Sequence, residues 1–172
     1  MLIALDASTV KTGFAFGGPD DGAPKGGVWR GLGADEMVFD RTLAGYSESL
    51  SLLIRATKAK RVLIEAPMMI SDRSAHTAMA LIQLTGALRA SAHRAGTIVS
   101  LVAVQTVRKH FVGNGRPEYP KRAVQDRCKQ LGWGVEDDNA ADAAALWSYG
   151  MSLYYPSWAP RATPLFAERR TA

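Results

Sequence analysis

The sequence predicts a mixed-sheet α/β domain in which a three-strand antiparallel meander is joined to two parallel strands and flanked by helices. Two observations predict this class. Short apolar segments separated by turn-forming residues fill the N-terminal part of the chain, which is the pattern of a meander. Helical and strand-like segments then alternate, which is the pattern of parallel strands connected by helices.

Each element has its own signal in the sequence. Apolar runs bounded by turn residues predict strands over 2–5, 12–16, 27–29, 61–65 and 97–102. Apolar residues at helical spacing predict helices over 35–59, 72–95, 106–111, 121–131 and 138–153. Gly96 is the expected C-terminal stop of the second helix. The packing face of that helix is predicted to hold Ala78, Leu81, Ile82, Thr85, Leu88 and Ala92.

Composition limits the class of protein. The 172 residues are 47% hydrophobic and 22% charged, which is typical of one globular domain and excludes a disordered chain. No apolar run is long enough to span a bilayer, and the N-terminus lacks a signal-peptide pattern, so we expect a cytoplasmic protein. The single Cys128 agrees with a reducing compartment. We predict a domain over 1–155 and a Pro- and Arg-containing tail over 156–172.

Three carboxylates stand where the predicted elements would bring them together. Asp6 follows the first strand, Glu65 ends the fourth, and Asp142 lies among small residues in the last helix. Acids at the ends of buried strands are costly without a cation or another partner. Two hard cations about 4 Å apart, shared by such acids, would activate water and stabilise the leaving oxygen of a phosphodiester.

Acids at such positions also have structural interpretations. Asp6 can begin a turn, Glu65 can be an exposed strand end, and Asp138 can be a helix N-cap. The joint placement of the acids favours the catalytic interpretation.

Four segments carry further signals: LDASTVKTGFA at residues 5–15, VLIEAP at residues 62–67, VGNG at residues 112–115, and Asp142 followed by Ala143. Together they resemble the RuvC family of Holliday junction resolvases. LDASTVKTGFA, residues 5–15, is similar to the family's first strand, which ends in a catalytic Asp before a turn and a Thr-Gly pair. VLIEAP, residues 62–67, matches the second acid with Glu65, and Asp142 followed by Ala143 matches the acid of the last helix. VGNG, residues 112–115, with Lys121 downstream, resembles the family's pre-helical segment. The resemblance covers residues 1–153, and compact chains of this kind also occur in phages.

The resemblance implies an RNase H-like fold, two Mg²⁺ ions that Mn²⁺ can replace, and a homodimer that makes paired nicks in four-way junction DNA. The nicks would leave 5′-phosphate and 3′-hydroxyl ends. Asp6 would bridge both metals, Glu65 and Asp142 would hold one each, and Asp138 would complete the set. In the family, the helix equivalent to 72–95 joins the two subunits, and a position buried within one monomer is the alternative explanation of its many small residues.

Two positions depart from the family pattern. Asn139 occupies the place of the usual fourth acid, so Asp138 is the favoured fourth ligand, with Asn139 as a neutral oxygen ligand and Asp137 as a substitute. Met68 stands where family members place an aromatic wedge, and it would act as an apolar wedge in the junction.

Basic residues on both sides of the glycine-containing loop predict a DNA-binding surface, which agrees with the net charge of +5. They are Arg108, Lys109, Arg116, Lys121 and Arg122. Lys121 is expected to bind phosphate, and a solvated helix start is the alternative.

Two other functions remain open. The same fold could cut other branched DNA or an RNA strand in a hybrid, or the chain could be a non-catalytic nucleic-acid-binding protein with a vestigial site. A sugar kinase or chaperone-type ATPase also begins with a similar strand and turn, but such proteins are much longer than 172 residues.

Overall fold

A computed structural model describes residues 1–32, 36–67, 75–135 and 137–158. Five strands form one sheet in the order β3-β2-β1-β4-β5. The strands are β1 Leu2–Asp6, β2 Lys11–Gly17, β3 Lys25–Arg30, β4 Arg61–Glu65 and β5 Ile98–Val102. The five helices are α1 Glu36–Thr57, α2 Ala75–Arg94, α3 Val104–Val112, α4 Pro120–Gln130 and α5 Asp138–Tyr154.

The strand directions confirm the predicted mixed sheet. β1 pairs with β2 and β2 with β3 in antiparallel fashion, which is the meander. β4 runs parallel to β1 on the other side, and β5 runs parallel to β4. The central β1 is therefore the strand where the meander and the parallel half of the sheet meet.

Alternation along β1 separates two hydrophobic cores. Ile3 and Leu5 are fully buried against α1 and α2, whereas Leu2 and Ala4 are fully buried in the core that contains α5. Burying one large aliphatic side chain is worth about 1.5–3 kcal/mol, so the register of this strand is strongly fixed. Successive side chains on a strand point to opposite faces, and Asp6 therefore continues the Leu2 and Ala4 series toward α5.

The element boundaries and one packing face differ from the sequence prediction. β3 is longer than the predicted 27–29, α3 begins at Val104 rather than 106, and the starts predicted at 35 and 72 lie outside the described residues. The buried residues of α2 are Leu84, Thr85, Leu88, Ser91 and Ala92. The prediction of Ile82 on the packing face was wrong, because the buried stripe is rotated and leaves Ile82 43% exposed. Gly96 has a φ of 78°, which confirms it as the stop after α2.

The C-terminal end of the described chain is attached to the core. Trp158 is 2% exposed, its ring lies 5.0 Å from that of Trp147, and its indole N–H donates to the Asp21 carbonyl over 2.9 Å. The predicted domain boundary at 155 stays a prediction, and most of the predicted tail lies outside the described residues. Among the described residues, no helix combines the length and apolarity needed to cross a membrane.

Candidate active site

The strand register brings the first two predicted acids side by side. Leu5 pairs with Ile64 in the parallel β1–β4 ladder, so Asp6 and Glu65 are the next positions along the two strands. Leu63, two residues before Glu65, belongs to the core that contains α5. Both acids therefore stand at the carboxyl ends of neighbouring strands on the face that α5 covers.

A short turn after Asp6 is fixed by the Thr12 side chain. The Thr12 hydroxyl donates to the Ser8 carbonyl over 2.7 Å and accepts from the Ser8 N–H over 3.0 Å. Thr12 is fully buried, and Ser8 is partly exposed. This arrangement explains why a Thr follows the turn, since it holds the backbone next to the acid.

Gly13 lets α5 approach the sheet at the level of Asp6. Gly13 pairs directly with Asp6 across the β1–β2 ladder and therefore lies on the same face. A Cβ atom at Gly13 would lie 2.0 Å from the Asn139 carbonyl oxygen, which is a steric overlap. The first turn of α5 therefore packs directly against the backbone of Gly13. Asp142 lies one turn further along the helix and is thereby placed near the two strand acids.

These elements enclose a cavity of 390 Å³. Its wall contains six of the residues singled out from the sequence, namely Asp6, Glu65, Arg108, Lys121, Asn139 and Asp142. Asp138 is not part of that wall. Within the described ranges, no three His, Cys, Asp or Glu side chains are close enough together to hold a metal ion in this conformation. The acids therefore share a cavity without converging on one point.

Two acids of the cavity, Asp6 and Asp142, have raised pKa values. Burial, with a further contribution from the Asp142 carboxylate, raises the pKa of Asp6 from 3.8 to about 7. Burial likewise raises the pKa of Asp142 to about 6, although Arg108 and Lys121 act in the opposite direction. Both carboxyl groups therefore ionise less readily than an exposed aspartate, chiefly because they are buried.

Three residues around the start of α5 have different roles: Asp137 caps the helix, Asp138 forms an ion pair, and Asn139 lines the cavity. Asp137 is the N-cap of α5, where its Oδ1 accepts from the N–H groups of Asn139 and Ala140 over 3.0 and 3.3 Å. The alternative interpretation of Asp138 as the N-cap was therefore wrong by one position. Asp138 binds Lys121, and that hydrogen bond lowers the pKa of Asp138 and raises the pKa of Lys121.

Asn139 is held against the sheet by its amide group. Its Nδ2 donates to the Lys11 carbonyl over 2.5 Å, and the residue also lines the cavity. Of the three candidates for the fourth ligand, Asn139 is the one in the cavity wall. The choice of Asp138 stays a prediction.

The predicted DNA-binding residues lie on α3, α4 and the loop between them. Arg108 and Lys121 line the cavity, and the Arg108 Nε is buried without a hydrogen-bond partner among the described residues. Lys109, Arg116 and Arg122 are exposed. Met68 lies outside the described residues.

Two residues beside the cavity form a contact that the sequence does not indicate. Lys11 belongs to the segment that resembles the family motif, and Asp137 is the substitute candidate for the fourth ligand. Their side chains are joined by a 2.5 Å ion pair between positions 126 residues apart in the chain. No spacing in the sequence could have indicated that contact.

The raised pKa of Asp6 predicts a pH-dependent effect of Asp6→Asn on stability. Because its pKa is about 7 in the folded chain and 3.8 ordinarily, ionisation costs stability as pH rises through this window. We expect Asp6→Asn, in metal-free buffer, to raise the free energy of unfolding at pH 8 by up to about 4 kcal/mol. At pH 4 the gain should disappear, since the proton is then bound in the folded state.

Urea denaturation of wild type and Asp6→Asn at both pH values checks this expectation. The exposed Asp20, changed to Asn, is the matched control and should shift stability at neither pH. A lower free energy of unfolding for Asp6→Asn than for wild type at pH 8 would show that the fold stabilises the ionised Asp6 carboxylate.

No protein-family model matches the sequence, and no curated protein matches it either. Solved structures do match. A structure of Thermus thermophilus RuvC has a TM-score of 0.63 at 18% identity, over 84% of this chain and 89% of that chain. The same protein in complex with a Holliday junction substrate gives 0.67 at 15% identity, over 84% and 88%. The yeast mitochondrial Holliday junction resolvase Ydc2 gives 0.58 at 12% identity, over 92% and 82%.

These likenesses establish the class of fold. The chain has an RNase H-like fold, as the sequence motifs implied. Within that class it shares the architecture of the RuvC resolvases over most of its length.

Proposed function

We propose that this chain is a metal-dependent endonuclease that cuts branched DNA, with the four-way Holliday junction as its substrate. The observation that carries the proposal is the composition of one cavity at the carboxyl ends of β1 and β4. Three acids, Asp6, Glu65 and Asp142, share it with two cations, Arg108 and Lys121. Acids for divalent metals and cations for phosphate are the two requirements of phosphodiester cleavage.

The donor set of the cavity fits hard divalent cations. The acids and the Asn139 amide offer only oxygen as ligands, and Mg²⁺ and Mn²⁺ prefer oxygen. The raised pKa values of Asp6 and Asp142 fit as well, because a bound cation would stabilise the ionised form of both buried carboxyl groups.

Asp6, Glu65 and Asp142 would hold two Mg²⁺ ions, or Mn²⁺ in their place. Asn139 is favoured as a fourth oxygen donor by its position in the wall, whereas Asp138 is engaged by Lys121. When bound, such ions activate water and stabilise the departing oxygen of a phosphodiester. The expected products are 5′-phosphate and 3′-hydroxyl ends.

The basic residues of the cavity have a separate part in this scheme. Arg108 lines the cavity, where its guanidinium group would pair with a phosphate oxygen of the bound DNA. Lys121 has a 63% exposed side chain, and it can reach a phosphate after leaving Asp138. Exposed Lys109, Arg116 and Arg122 would extend the contact along the DNA backbone.

The junction is favoured over other substrates by the structural neighbours. One of them is a RuvC in complex with a Holliday junction substrate, and another is a yeast mitochondrial Holliday junction resolvase. Their architecture extends over at least 84% of this chain. Other branched DNA and RNA–DNA hybrids are the competing substrates.

A homodimer follows from the same proposal. A junction has two strands to cut in symmetric positions, so two active sites related by a two-fold axis suit it. The outer face of α2 offers an apolar surface for such contact, with Met79 56% and Ile82 43% exposed, and Leu101 on neighbouring β5 is 40% exposed.

Incubation of the purified chain with a synthetic four-way junction and Mg²⁺ tests the proposal. We expect paired nicks at symmetric positions. A fork and an RNA–DNA hybrid of the same sequence, tested in parallel, separate a resolvase from a nuclease with another substrate.

A further inference from the structure

The start of α5 is tied to β2 through one residue, Lys11. The Lys11 ammonium lies 2.5 Å from Asp137 Oδ2 and 3.7 Å from Asp138 Oδ1. The backbone carbonyl of the same residue accepts the hydrogen bond from the Asn139 amide over 2.5 Å. Lys11 therefore contacts three consecutive residues at the beginning of the helix, with its side chain and with its backbone.

These contacts are arranged around the place where the helix touches the sheet. Lys11 stands two residues before Gly13 on the same face of β2, and Gly13 is the position on which the Asn139 carbonyl rests. Asp137 uses one carboxylate oxygen to cap the helix and the other to bind Lys11. The cap and the ion pair therefore act on the same carboxylate and fix the helix end in direction and in position.

We infer that Lys11 is a positioning residue, which holds the first turn of α5 on β2 and thereby sets the distance between Asp142 and Asp6. The inference rests on the proposed function, because it concerns how the metal-binding acids are arranged. Asp142 lies one helical turn beyond Asp138 in the same rigid helix, so a shift of the helix end moves Asp142 with it. Lys11 contacts Asp142 indirectly, through residues 137–139, and its side chain is not part of the cavity wall.

Metal affinity provides a readout that separates positioning from simple charge. Removing the positive charge of Lys11 would, by Coulomb attraction alone, strengthen the binding of a cation nearby. Loss of positioning would instead weaken cation binding. We expect Lys11→Met to weaken Mn²⁺ binding by about 10-fold, the size typical of losing a residue that orients metal ligands.

Calorimetric titration of the full chain with Mn²⁺, well below the thermal midpoint of each variant, makes the test. Lys11→Arg should restore most of the affinity, because it keeps the ion pair. Asp137→Asn keeps a good N-cap residue and removes only the charge, so it should weaken binding to a similar degree. The double variant Lys11→Met with Asp137→Asn should be no weaker than either single variant, since one contact is removed. The exposed Lys129, changed to Met, is the control and should leave the affinity unchanged.

Two results would overturn the inference in different ways. Unchanged or tighter Mn²⁺ binding in Lys11→Met refutes the positioning role, even if the thermal midpoint falls, and leaves the proposed function intact. Equal binding by wild type and Asp6→Asn refutes the metal site itself, and the positioning role with it.

Discussion

Replacing Asp6 by Asn is expected to lower the rate of junction cleavage by at least about 100-fold, the effect typical of removing one group that stabilises charge during a reaction. Asp6 ends the central strand and lies beside Glu65 in the neighbouring strand. Burial and the Asp142 carboxylate raise the pKa of Asp6 to about 7, and a bound cation would stabilise the ionised form. Asn has nearly the same shape but carries no charge, so the substitution removes a metal ligand and leaves the packing intact.

The loss should concern cleavage and not DNA binding. The proposed phosphate contacts come from Arg108 and Lys121, which the substitution does not touch. A gel-shift assay with a four-way junction in Ca²⁺ should therefore show affinity within about threefold of wild type. The exposed Asp20, changed to Asn, serves as the control for both assays. A wild-type cleavage rate in Asp6→Asn would show that the Asp6 carboxylate takes no part in the reaction.

Replacing Gly13 by Ala is expected to be the most destabilising single methyl addition in the described core. The new Cβ would lie 2.0 Å from the Asn139 carbonyl oxygen and 2.9 Å from the Ala140 nitrogen. These are backbone atoms of a helix, which cannot rotate away as a side chain could. Overpacking commonly costs about 1–3 kcal/mol, and this overlap belongs at or above the upper end. The thermal midpoint should fall by about 10 °C.

A second glycine gives a matched control for that substitution. Gly27 also lies in a β-strand of the meander, but a Cβ there would make an ordinary contact of 3.6 Å with the Phe14 ring. Gly27→Ala should change the midpoint by less than about 3 °C. Equal midpoints for the two variants, measured by circular dichroism, would mean that α5 does not rest on Gly13 as described.

The strand acids could be predicted because their signals are local. An apolar run that ends in Asp6 and another that ends in Glu65 are visible in the sequence, and parallel strands bring their carboxyl ends to the same edge of a sheet. The family motif added the Thr12 and Gly13 pair, and the structure supplies the physical reasons for both residues. Thr12 closes the turn after Asp6, and Gly13 leaves room for α5 to pack against the sheet.

The rest of the site depends on contacts between distant parts of the chain. Lys11 and Asp137 are far apart in sequence, so neither residue type indicates the other. Asp137 and Asp138 are equally suited to capping a helix by composition, and only the backbone geometry at 137 selects the cap. Helical periodicity likewise placed Ile82 near the apolar face, but tertiary packing rotated the buried stripe away from it.

Cleavage of a synthetic four-way junction by the wild-type chain, with Mg²⁺ and with EDTA, tests the central claim most directly. The proposal predicts two symmetric nicks with ligatable ends in Mg²⁺ and no product in EDTA, and a slower reaction on a linear duplex of the same sequence. An intact junction in Mg²⁺ and Mn²⁺, under conditions where the chain binds it, would contradict the claim and favour a non-catalytic DNA-binding protein.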